Sequence, residues 1–142
     1  MKKFAAALVA LAMTPALAQA ESPWPADAEL TIVSPKDGET VSSPFTVEFA
    51  VDGVPVRPAG DPTAGSGHHH LLIDHEVPEG EDLMYSLPAE DGLMHFGKGQ
   101  TSVELSLPSG NHRLQLIMGD ANHVPHDPPL LSEPIEITVR NQ

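Results

Sequence analysis

Three consecutive histidines, His68-His69-His70, run into Leu71-Leu72-Ile73 and are closed by Asp74. A strand sends successive side chains to opposite faces. His68 and His70 therefore share one face, and His69 points the other way with Leu71 and Ile73. Two imidazoles side by side on a rigid strand make half of a transition-metal site, which wants three or four donors at about 2.0–2.2 Å. Further donors lie downstream: His95, and the pair His123 and His126 in a loop stiffened by Pro125, Pro128 and Pro129. Asp74, Asp120 and Asp127 are candidates to accept the second ring N–H of a ligand histidine and so fix its tautomer. The chain has no cysteine, which excludes thiolate zinc sites and blue copper. The remaining donors suit a zinc or copper ion, and the thioethers of Met94, beside His95, and of Met118 tilt the choice toward copper, including copper(I).

The bland reading stands beside each of these. His69 is either a ligand or a packed core histidine. His75 and His112 read as surface or hydrogen-bonded residues, and Met118 reads first as core. A polar network of His, Asp and Asn that holds the loops without an ion is the rival to metal binding.

What positions these residues begins with an expected signal peptide over residues 1–20. Lys2 and Lys3 precede an apolar, alanine-rich run, and Ala18-Gln19-Ala20 fits the small-x-small cleavage rule. Residues 21–28 form a proline-rich lead-in with the only tryptophan, and residues 29–142 a single β domain. Loss of the leader removes two of seven basic residues and none of the twenty acidic ones, leaving a net charge of 5 − 20 = −15. Such a chain repels nucleic acid and anionic lipid. No other long apolar run follows, so membrane insertion is not expected. The periplasm is the expected location.

Short apolar runs separated by Gly and Pro turns predict about seven strands, over residues 30–33, 45–51, 69–73, 83–87, 103–107, 112–118 and 135–139. The stretch 83–87 reads as either a weak strand or an irregular crossover. This spacing suggests an all-β, immunoglobulin-like antiparallel β-sandwich. In that winding the second-to-third, fourth-to-fifth and sixth-to-seventh connections share one end. His68, His69, His70, His95, His123 and His126 then converge on one rim, and the long connections 52–67, 88–100 and 119–133 read as functional loops.

Other chemistry finds little support. Ser66 near His68 lacks the strand-turn-helix elbow of a serine hydrolase. There is no His-Glu-x-x-His helix, no phosphate-cradling glycine loop and no basic patch. Glu76, Glu79, Glu81 and Asp82 read as a solvated face.

Four motifs resemble a known family: Ser34-Pro35-Lys36-Asp37-Gly38, the stretch from Gly67 to Asp74, His95-Phe96-Gly97-Lys98-Gly99-Gln100-Thr101, and the stretch from Gly119 to Pro129 followed by Leu130-Leu131-Ser132. They resemble domain-of-unknown-function family 4399, which comprises short exported bacterial proteins with no established activity. The resemblance implies a compartment and a domain extent, and no mechanism. The residues themselves lead to an expected periplasmic copper- or zinc-binding protein acting in metal buffering, delivery or resistance. Its partners would be the metal ion and a periplasmic partner protein. A metal-free interaction module of the cell envelope and a small copper redox enzyme are the alternatives, and binding is favoured over catalysis. Affinity is expected to fall as the histidines protonate near their usual pKa of about 6.5.

Overall fold

Strand alternation and turn residues give eight strands in the computed structural model, which describes residues 22–141. They are β1 (Glu29–Ser34), β2 (Thr40–Ser43), β3 (Phe45–Asp52), β4 (His68–Ile73), β5 (Leu93–His95), β6 (Ser102–Leu105), β7 (Gly110–Gly119) and β8 (Ile135–Asn141). The expected signal peptide lies outside the described residues. Among the described residues no helix is long and apolar enough to cross a membrane.

The strands form two sheets, one in the order β1-β3-β6 and one in the order β2-β8-β7-β4-β5. The fold is all-β, with the main core between the sheets. Leu30, Ile32, Val47, Phe49 and Leu105 of the smaller sheet share this core with Leu71, Leu114, Leu116, Met118, Ile137 and Val139 of the larger one. A second cluster lies on the opposite, outer face of the larger sheet. There Leu72, Leu93 and Ile117 pack with Leu87, and Val77 and Leu131 lie against them. Segments between β4 and β5 and after β7 therefore cover that face, which is why β4 is buried on both sides while β3 alternates.

Three expectations change. The strand count is eight, because β2, only four residues long, pairs with β8. That pairing is parallel, so the larger sheet is mixed, not wholly antiparallel. Residues 83–87 form no strand: a 3₁₀ turn spans Gly80–Met84, and Leu83 is buried within it. A strand does form at β5, three residues inside a stretch that reads as connection, and it pairs with β4 on the side away from β7.

Candidate metal centre

Parity and pairing bring the first three imidazoles together. His68 and His70 lie on the outer face of β4, the side of Leu72. Paired residues of adjacent strands share a face, and His70 pairs with His95 at the end of β5. His68 pairs with Gly119, the last residue of β7. That glycine leaves the room the rings need: a Cβ there would stand 2.7 Å from Cε1 of His70 and 3.2 Å from Cα of His123.

The fourth imidazole arrives from the turn after β7. Asp120 shapes that turn, its Oδ1 accepting from the backbone N–H groups of Asn122 at 2.8 Å and Val124 at 3.0 Å. His123 adopts a left-handed backbone, φ +67°, which few non-glycine residues take up unless surroundings enforce it. Here they do. Leu87 N–H donates to the His123 carbonyl at 2.9 Å, and the Ser86 hydroxyl donates to Asn122 O at 2.6 Å. From the N-terminal lead-in, Trp24 Nε1–H donates to Pro125 O at 2.6 Å.

The four rings converge at short range. Nε2 of His95 lies 3.1 Å from Nε2 of His68 and 3.0 Å from Nε2 of His123. One nitrogen from each of His68, His70, His95 and His123 falls within 4.8 Å of the others, so the group could hold a metal ion. Donors about 2.0–2.1 Å from a tetrahedral ion stand about 3.3 Å apart, close to the two observed separations. A hydrogen-bonded alternative is incomplete. A ring nitrogen carries either one proton or one lone pair, so Nε2 of His95 serves only one of its two neighbours. Nδ1 of His68 and both nitrogens of His70 have no partner at hydrogen-bond geometry, and the His68 backbone offsets the lowering of His70 only in small part.

The electrostatics favour the neutral form of His68, His70 and His95. Burial, then the neighbouring imidazoles, push His70 down to about 3. Burial, then His95 and His123, push His68 to about 4, with the Asp120 charge opposing. His95 is lowered too, by burial and by His123. Neutral imidazole is the form that ligates a metal. The expected loss of affinity near pH 6.5 therefore moves to lower pH for these three.

The other candidate residues lie elsewhere. His126 stands outside the four: its Nε2 is 2.8 Å from Oδ2 of Asp120, and its ring meets Trp24 edge-on at 6.0 Å. His69 faces the main core, 4.8 Å from Phe49 between ring centroids. Neither of its nitrogens has a partner at hydrogen-bond geometry; burial lowers it to about 4, countered only in part by the Gln100 backbone. Asp74 sits at the far end of β4, taking His112 Nδ1–H at 2.7 Å and the Arg113 N–H at 2.8 Å. Asp127 is exposed. Met94 pairs with Leu71 on the inner face, opposite to His95, and Met118 is core. The thioethers thus leave the site, and with them the argument for copper over zinc. The site itself lies on the outer face of the larger sheet near its end, not on a rim shared by both sheets.

Sequence reasoning did not single out Gly119 or Trp24. The first is signalled only by its pairing with His68, and the second only by its contact with Pro125.

An all-β protein with four converging imidazoles able to hold a metal ion is thus the class that fold and geometry define. Residues 47–140 match the family model described as a domain of unknown function (DUF4399), and the chain belongs to that family. No curated protein and no solved structure matches the chain.

Proposed function

We propose that this protein binds one transition-metal ion, zinc or copper(II), between His68, His70, His95 and His123, and that it serves in periplasmic metal buffering, delivery or resistance. The observation that carries the reading is Nε2 of His95, flanked at 3.0–3.1 Å by two other Nε2 atoms that it cannot both satisfy by hydrogen bonding. The buried, unpartnered His70 supports it, because an ion is the partner that a neutral imidazole lacks there. Four neutral nitrogen donors suit either metal. The order β1-β3-β6 against β2-β8-β7-β4-β5 supports an immunoglobulin-like winding, in which loops from distant sequence gather at one end.

The test uses protein without an affinity tag. Metal content after purification and zinc titration should give one ion per chain. His70→Ala should lower the affinity at least tenfold, while His126→Ala, whose imidazole is bound to Asp120, should change it less than threefold. Equal losses in both variants, or no stoichiometric binding, would overturn the reading.

A further inference from the structure

Three of the four imidazoles, His70, His95 and His123, line an open cavity of about 400 Å³. Leu87, Pro88, Ala89, Leu93 and Glu90 make the rest of its wall. His68 is not part of that wall and is fully buried. An ion among the four rings would therefore sit at the floor of this cavity, with His68 behind it. His70, only 1% exposed, faces the cavity with both ring nitrogens unpartnered. The volume lies in the range of small-molecule sites, about 300–1,000 Å³.

The charge balance selects the occupant. Four neutral imidazoles leave a divalent ion with its full charge. The carboxylates close by are engaged elsewhere: Asp120 with His126 and two backbone N–H groups, and Glu90 with His75 at 2.8 Å. Neither carboxylate is among the four donors, so an anion placed on the ion gains a direct charge pairing that Asp120 and Glu90 do not make. A ligand on the ion is about 2 Å from its charge, which makes that pairing the strongest one open to an anion in the cavity.

We propose that the bound ion accepts a fifth donor from the cavity side, beyond the four imidazoles, and that the cavity takes a short-chain carboxylate as this ligand. Leu87, Pro88, Ala89 and Leu93 cover the alkyl part of that ligand. The inference rests on the metal-binding reading above, and its test separates the two. The full chain is loaded with copper(II) and followed by visible absorption and electron paramagnetic resonance while azide or butyrate is added. Azide should shift the spectra saturably, and butyrate should compete with it, whereas butylammonium should do neither. Ala89→Trp, at an exposed position, fills the cavity away from the donors. It should keep one copper per chain and weaken butyrate competition at least tenfold.

A chain that holds no copper overturns the metal reading and this one with it. Bound copper whose spectrum neither anion alters overturns this inference alone, as does azide binding without butyrate competition. If Glu90→Gln changes the spectrum before any anion is added, Glu90 already supplies the fifth donor, and the external ligand is refuted.

Discussion

Replacing His69 with leucine is expected to stabilise the metal-free protein while leaving metal binding intact. The His69 ring is fully buried against Phe49, and neither nitrogen is satisfied. A buried unsatisfied polar group costs about 1–3 kcal/mol, and leucine occupies similar space without one. The gain should appear as a rise in Tm of roughly 4 °C per kcal/mol for a domain of this size. The substitution should also blunt acid sensitivity. Burial holds the folded imidazole at about 4 against 6.5, so between those values the unfolded chain binds a proton that the folded chain rejects. Stability contributed by the neutral ring is present above about pH 6.5 and lost as pH falls toward 4. The advantage of the variant should therefore widen by up to about 3 kcal/mol between pH 7 and pH 4. Urea unfolding of both proteins at pH 7, 6 and 5 measures this directly. A variant less stable at pH 7, or an advantage that stays constant on acidification, would refute the reasoning and show that the Gln100 backbone satisfies the ring. A loss of zinc affinity matching that of His70→Ala would make His69 a ligand.

Zinc binding at pH 6.5 should release no more than about one proton, against about two for four ordinary imidazoles, because His68 and His70 are already neutral. Calorimetry in buffers of different ionisation enthalpy counts them, and two or more would contradict the burial argument. Trp24→Phe removes the N–H that holds Pro125 O. It should cost about 1–2 kcal/mol and lower zinc affinity several-fold, since the same turn delivers His123; unchanged affinity would show that the lead-in does not help position the site. Gly67→Ala would place a Cβ 2.6 Å from the backbone oxygen of Gly119 and 3.0 Å from the Trp24 ring. A lower denaturation midpoint is expected, and an unchanged one would mean that the strand ends give way without cost.

How much of this was legible in the sequence depends on the length over which a rule could act. Eight residues of β3 alternate cleanly, so that strand and its inward Val47 and Phe49 were readable. Parity alone put His68 and His70 on one face. The three residues of β5 are too few to alternate visibly, so the stretch read as loop. That misreading also misplaced Met94: once 93–95 is a strand, the residue before His95 must face the other way. His123 and His126 lie in one turn where no periodicity applies, and backbone torsions and the Asp120 carboxylate decide between them. The outer-face location was hidden because it depends on a long segment folding over the sheet. Its one trace was the adjacent Leu71 and Leu72, which require cover on both sides.

The placement of His95 on a three-residue strand at the margin of its sheet bears on how the protein holds together. The margin is its least anchored part, and the chain has no cysteine with which to fasten it. An ion gripped by positions 68 and 123, 55 residues apart, and by His95 as well, would be a removable clasp. By chain-entropy reasoning a cross-link over that span is worth about 4 kcal/mol. Unlike a sulfur bridge, it would open to a chelator or to acid and close again when metal returns.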